Sequence, residues 1–376
     1  MSNIPNYQSY PPPFRPPANQ NLVAGGAETA PALDPPTTVE GEDGVPVIDF
    51  ERLTEHDDGG EEKITAACRD RGLFRLVNHG IPELLLSQML DRTERMFSMS
   101  FEEKQAVSGD GMSYFWGTPA VAPSGAALPT NDSSLHWMEG FNVPLSRVSL
   151  HHYEDETLES FRLLLEEYGK HQRRVAKAIY QALSVNQNLG EEKPTTTSYI
   201  SEDTGILRLY RYPRCHLDRT TAAAVEEEEE TMNDRHRPPP PWGIGAHTDS
   251  SLLSILHQDL VGGLQAYHSN NNKNQQCWVE VKPIPNTLIV IVGDMMQAIS
   301  NDKYVSAKHR VKVKGERERI SMGYFVFPEE EAVIESSRYT PFTYAEFRAQ
   351  VHRELKTAGS KILGLHAFKS ESPFLA

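Results

Sequence analysis

Gly243-Ile244-Gly245-Ala246-His247-Thr248-Asp249 is the stretch on which the reading of this chain turns, taken together with His309 and with Arg319-Ile320-Ser321. A His-x-Asp followed at a distance by a second His offers two imidazoles and one carboxylate. Such a donor set can hold one face of a ferrous ion and leave three coordination positions open. His247 and Asp249 are read at the start of a strand, where period-two alternation would turn both side chains into a barrel. His309 is expected to arrive from a distant strand on the opposite sheet. Gly243 and Gly245 allow close packing at the mouth.

Arg319 and Ser321 are i and i+2 on a further strand. A guanidinium fork matches a carboxylate through two hydrogen bonds, and a hydroxyl adds a third. Tyr212, just before Pro213, is a candidate to donate its hydroxyl to the same carboxylate. Each residue has an ordinary reading when taken alone. The chain has 14 His, most of which need no ligand role, Arg319 ends a charged run from Lys314, and a tyrosine is common in a sheet. Taken together they fit iron with an anchored dicarboxylate. Zinc competes for the same donors, but it would leave Arg319 and Ser321 without a task.

Outward from these motifs, short apolar runs with turn signals between them predict strands over 207–212, 252–256, 277–281, 287–292, 309–313 and 319–327. In one of them Cys277, Val279 and Val281 alternate with Trp278, Glu280 and Lys282, the mark of a half-buried strand. Many short strands point to a jelly roll, here a distorted double-stranded β-helix. It would occupy residues 201–330. Five consecutive acids (226–230) and four consecutive prolines (238–241) suit neither ladder nor core, so 216–240 reads as a solvated insertion.

Upstream, residues 1–44 carry nine prolines and few large apolar side chains, and read as a disordered tail. An N-terminal α/β region then runs over 45–150. It holds a strand over 45–50, a helix over 61–71, a strand over 72–77 and a helix over 83–98. A supporting helix and connection fill 151–200. The helix is read over 157–183, capped by Thr157, with Leu158, Phe161, Leu165, Tyr168, Val175, Ile179 and Leu183 forming its buried stripe. Residues 331–376 hold a C-terminal helix, 344–357, opened by a Thr343/Glu346 capping box, and a tail. The fold class is therefore mainly β with α.

The balance of 37 Lys+Arg against 52 Asp+Glu gives a net charge of −15, which argues against nucleic acid or an anionic membrane as partner. Three scattered cysteines suggest a reducing compartment. No apolar run approaches the roughly 18 residues of a membrane span, and no secretory or transit signature opens the chain. The cytoplasm, with the nucleus as alternative, is the expected location. No protein partner is implied.

Over about residues 45–368 the chain resembles the plant 2-oxoglutarate/Fe(II)-dependent dioxygenase family. The resemblance rests on Ala67 to Pro82, His247-Thr248-Asp249, Val261-Gly262-Gly263-Leu264-Gln265, Gly293-Asp294, Asn301-Asp302, Ser306 to Val311 and Arg319-Ile320-Ser321. Within the family it is most similar to gibberellin 2-oxidase-like members, through Tyr114 to Pro119, Gly140 to Leu145 and Pro341 to Tyr344. Other branches act on flavonoids, alkaloids and auxin with the same iron site. The resemblance implies Fe(II) as cofactor, 2-oxoglutarate as co-substrate, ascorbate as a stimulant, and dioxygen with a small molecule as reactants. It implies hydroxylation of an unactivated C–H bond. It also implies that Trp116 and Phe325 line the substrate pocket with Arg208 at its edge, where a basic residue suits a carboxylated gibberellin. Two departures bear on the substrate: Tyr210 stands where the family often has Asn, and the link from Tyr212-Pro213 to the His-x-Asp strand is longer than the family's.

Overall fold

The computed structural model describes residues 6–12, 15, 43–55, 58–109, 111–117, 136–185, 199, 204–214, 242–270, 275–313 and 317–370. The insertion read over 216–240 lies outside the described residues.

Two sheets carry the fold. The larger has eight strands in the order β1(47–49), β2(73–77), β10(288–292), β7(253–258), β12(319–326), β5(206–212), β4(139–144) and β3(113–116). The smaller has four, in the order β6(242–247), β11(309–312), β8(264–270) and β9(275–280). From β5 to β12 the chain passes back and forth between the sheets in the manner of a jelly roll, with β8 and β9 the one consecutive pair of described strands that stays in the same sheet. Leu288-Ile289-Val290-Ile291-Val292 is an unbroken apolar β-branched run because β10 is buried along its whole length. On β9, Val281 beyond the strand end is fully buried, but Cys277 is exposed. The half-buried pattern read there gives way at Cys277 because β9 is an edge strand.

Helices 83–98 and 156–185 lie against β5, β7 and β12 from outside the barrel. The long helix buries Phe161, Leu165, Tyr168, Val175, Ile179 and Leu183, the stripe expected from the 3.6-residue period. Its cap is not Thr157: Asp155 accepts the Leu158 N–H at 2.9 Å, and the helix starts at Glu156. A carboxylate at that place also complements the helix dipole. The C-terminal helix spans 344–358 and shows the expected Thr343/Glu346 capping box. Strands β3, β4, β6, β8, β13(333–336) and β14(339–343) and the helix 101–107 were not foreseen.

The reading of 1–44 as a disordered tail needs correction at its beginning and end. Residues 7–9 form a 3-10 turn and Tyr10 is buried. Lys104 and Arg211 reach this segment, Lys104 Nζ donating to the Ser9 carbonyl at 2.7 Å and Arg211 Nη2 to Ser9 Oγ at 2.9 Å. Composition missed this because one aromatic side chain with partners waiting on the sheet outweighs the prolines around it. Asp43, near the other end, makes a buried ion pair with Arg75 at 2.8 Å.

Candidate metal centre and co-substrate anchor

His247 is the last residue of β6, and His309 is the first of β11. The two strands are antiparallel neighbours in the smaller sheet, and the two histidines are direct cross-strand partners. Their rings lie 4.3 Å apart between centroids. This corrects the expectation that His309 comes from the opposite sheet. The strand placement of Asp249 is corrected too: β6 ends at His247, and Asp249 sits in the turn that leads to β7. Strand alternation therefore does not aim the carboxylate. Hydrogen bonds do: Ser254 Oγ donates to Asp249 Oδ2 at 2.6 Å, and the Asp249 carbonyl accepts the Asp294 N–H at 2.8 Å. Gly293 precedes Asp294 because a Cβ there would fall 2.0 Å from the Ser251 carbonyl oxygen.

Each imidazole is oriented by a backbone carbonyl two residues before it. His247 Nδ1 lies 2.8 Å from the Gly245 oxygen and His309 Nδ1 lies 2.9 Å from the Ala307 oxygen. A carbonyl only accepts, so Nδ1 carries the proton and Nε2 keeps its lone pair. The Nε2 atoms stand 3.5 Å (His247) and 3.7 Å (His309) from Asp249 Oδ1. One ligand atom from each of the three residues falls within 4.8 Å of the others. Burial pushes the His309 pKa down to about 4, which keeps the ring neutral and free to bind metal. Burial alone would raise the Asp249 carboxyl, but the two imidazoles and Ser254 hold it below its ordinary value. Two imidazoles presenting Nε2 and one carboxylate around one point fit Fe(II).

The larger sheet faces this cluster with the second set of predicted residues. Arg319 on β12 pairs directly with Tyr212 on β5. Arg319 Nη1 donates to Ser321 Oγ at 2.8 Å and Nη2 to Gln258 Oε1 at 2.7 Å, and its guanidinium lies 4.8 Å from the Tyr212 ring centroid. Arg319 is 1% exposed, and its Nε has no hydrogen-bond partner among the described residues. A buried guanidinium with a donor to spare suits an anion. Burial pushes the Tyr212 hydroxyl up to about 12, so it stays a donor at neutral pH. Gly243 serves this residue: a Cβ at 243 would meet Tyr212 Cδ1 at 2.2 Å.

The expected pocket residues divide. Arg208 and Phe325 come together, the guanidinium 4.7 Å from the ring centroid. Register puts Arg208, Tyr210 and Tyr212 on one face of β5, and Tyr210 opposite Ser321. Trp116 is elsewhere: it packs against Tyr10 and Trp137, with centroids 5.8 and 5.7 Å away. The β3 residue that meets Tyr210 is Phe115, 6.2 Å between centroids. A one-residue offset on a strand exchanges faces, which accounts for the difference. Gln258, Ser254 and Phe115 were missed, and no residue pattern marks them. Asp294 was visible as part of Gly293-Asp294.

Residues 204–328 match the 2OG-Fe(II) oxygenase superfamily, and residues 45–160 match the non-haem dioxygenase N-terminal region named for morphine synthesis. The chain belongs to the 2OG-Fe(II) oxygenase superfamily. It is a dioxygenase that uses Fe(II) and 2-oxoglutarate. Among relatives of the oxygenase, gibberellin 2-beta-dioxygenase 6 of Oryza sativa subsp. japonica is 32% identical over 95% of this chain and 90% of its own length. Gibberellin 2-beta-dioxygenase 8 of Arabidopsis thaliana is 32% identical over 88% and 89%. Among solved structures, JOX2 in complex with 2OG, Fe and JA superimposes with a TM-score of 0.62 at 25% identity, over 87% of this chain and 89% of that one. The rice dioxygenase for auxin oxidation shares the fold of the oxygenase at a TM-score of 0.61 and 20% identity, over 87% and 100%. No helix among the described residues is long and apolar enough to cross a membrane.

Proposed function

We propose that this oxygenase hydroxylates a small carboxylated plant metabolite, a gibberellin in the first instance, by 2β-hydroxylation that inactivates the hormone. The observation that carries the reading is the near full-length similarity to two gibberellin 2-beta-dioxygenases at 32% identity. Support also comes from Arg208 against Phe325 on the barrel face that carries Tyr212, since a carboxylated substrate needs a cation there. Action in the cytoplasm is part of the same reading.

In this reading His247, Asp249 and His309 hold the metal, and Arg319, Ser321 and Tyr212 bind the far carboxylate of 2-oxoglutarate. When bound, iron would let dioxygen act as the oxidant, with 2-oxoglutarate as the electron donor: one oxygen atom would leave in succinate as carbon dioxide is lost, and the other would enter the substrate as its hydroxyl. The chain does the rest. Arg319 offers a preorganised, dehydrated fork whose strength grows with its burial. Tyr212 keeps its proton and donates it as a hydrogen bond. The carbonyls of Gly245 and Ala307 hold the imidazoles in the tautomer that presents Nε2. Phe325, Phe115 and Tyr210 would keep water from the reacting face, with Arg208 steering the substrate acid.

A second reading keeps the chemistry and changes the substrate to auxin, a jasmonate or another specialised metabolite. It is favoured by the solved structures of an auxin oxidase and of a jasmonate-bound oxygenase with the same fold. Succinate release with a panel of gibberellins, indole-3-acetate, jasmonate and phenolics, followed by product mass spectrometry, tests both. A 2β-hydroxylated gibberellin as the main product is expected. Turnover confined to a non-gibberellin would replace the first reading with the second. The absence of any turnover, including uncoupled decarboxylation of 2-oxoglutarate, would leave a ligand-binding protein on an oxygenase fold.

A further inference from the structure

The turn that carries Asp249 belongs to no strand, so something other than a ladder must hold it. One support is the Asp294 N–H on the Asp249 carbonyl. A second comes from far along the chain. Lys361 Nζ donates to the Thr248 carbonyl at 2.7 Å, to Asp294 Oδ2 at 2.6 Å and to Ser250 Oγ at 3.5 Å. The ammonium thus spends its three donors on the turn between His247 and β7 and on the residue that braces that turn. Both partners of the Lys361–Asp294 ion pair are shielded from solvent, with side chains 11% and 5% exposed.

Lys361 is itself held in place. The C-terminal helix stops at Gly359, whose left-handed backbone (φ 71°) turns the chain back toward the barrel. The Glu354 carboxylate then gathers the next turn, accepting the N–H groups of Ile362 at 2.8 Å, Leu363 at 3.1 Å and Gly364 at 3.1 Å. Gln350 Nε2 donates to the other Glu354 oxygen at 2.6 Å. Beyond it, Lys369 bridges to Tyr339, and Phe368 packs on Phe342 with centroids 4.4 Å apart. The segment 359–369 is therefore a strap pinned at both ends, with Lys361 directed at the metal-binding turn.

We propose that Lys361 is a positioning residue of the iron centre: it clamps the Thr248 carbonyl and Asp294 so that the Asp249 carboxylate points at the atom shared by His247 and His309. The inference rests on those three residues being the metal ligands. The C-terminal strap, which touches neither substrate nor metal, becomes a working part of the site. Residues behind a ligand typically change metal affinity by about 10–100-fold when removed.

The test is a Co(II) titration of metal-free protein with 2-oxoglutarate present and oxygen excluded, read by the visible absorption of the bound ion. His247→Ala should abolish the band in the otherwise intact chain; a band that survives would refute the ligand assignment, not the strap. Lys361→Met should weaken Co(II) binding at least tenfold, and Lys361→Arg should recover part of it. The apolar replacement leaves Asp294 buried without its cation, so Lys361→Met/Asp294→Asn is measured alongside. That double variant removes the stranded charge and should still show the tenfold loss, because the Thr248 carbonyl has lost its donor. Wild-type Co(II) affinity in the double variant would overturn the proposal and reduce Lys361 to a stabilising ion pair.

Discussion

At the scale of single residues, the metal-ligand cluster depends on atoms that carry no sequence signature. The Gly245 and Ala307 carbonyls set the histidine tautomers, and any residue type has a carbonyl. His247→Ala or Asp249→Ala removes one of three donors, and succinate release should fall to background in either. Rates near those of the parent chain would dismiss the assignment. Arg319→Ala should raise the 2-oxoglutarate KM by about 10-fold or more, because a buried fork with hydrogen bonds to the co-substrate contributes about 1.5–3 kcal/mol; kcat at saturating co-substrate should change less. An unmoved KM would take Arg319 out of its role. That His247, Asp249 and His309 form one group and Arg319, Ser321 and Tyr212 another was legible in the sequence, since such residues are rare in this order and their spacing suits a barrel. Gln258 and Ser254 were not, since a Gln or Ser gains such a role only from what stands opposite it.

Among the elements, β7 shows how one strand serves both sides of the sheet. Ser254 supports Asp249 and Gln258 supports Arg319, while His257 between them is buried and points away from Gln258 by strand alternation. Burial, with His79 nearby, pushes the His257 pKa down to about 4 from 6.5. The fold therefore keeps this ring neutral. Its contribution is fully present above pH 6.5, shrinks as pH falls because the unfolded chain takes the proton first, and is lost by about pH 4. The linkage amounts to about 3 kcal/mol. Urea midpoints measured from about pH 7 to about pH 4 should fall more steeply for the parent chain than for His257→Gln. Parallel curves would assign the acid sensitivity to other groups. The period of the long helix and the capping box at Thr343 were readable because they are local. The Asp155 cap was missed because Thr157 and Asp155 both suit an N-cap, and only backbone geometry chooses between them.

Across the whole molecule, two described segments far apart along the chain, 6–12 and 359–369, are tied to the barrel. Near the start, Ser9 and Tyr10 meet a buried group in which Lys104 and Arg211 share Glu139, each 2.5 Å from a carboxylate oxygen. Two cations on one anion are stable here because the Ser9 carbonyl and hydroxyl take further donors. Deleting residues 1–12 should cost about 3 kcal/mol, from the exposed bed of Tyr10 and the lost hydrogen bonds. The readout is a lower urea midpoint with little change in slope, and an unaltered midpoint would mean that the segment only rests on the surface. Such ties join residues far apart along the chain, so no window of sequence contains them. The amino-acid sequence by itself determined the fold class, the long helices, the candidate metal donors and the enzyme class, because periodicity and reactive side chains are local properties. Only the tertiary structure decided that the two histidines are neighbours on one sheet, that Asp249 is aimed from a turn, that Phe115 rather than Trp116 meets Tyr210, and that segments 6–12 and 359–369 brace the barrel. Those outcomes depend on strand register and long-range hydrogen bonds, which exist only after the chain has closed on itself.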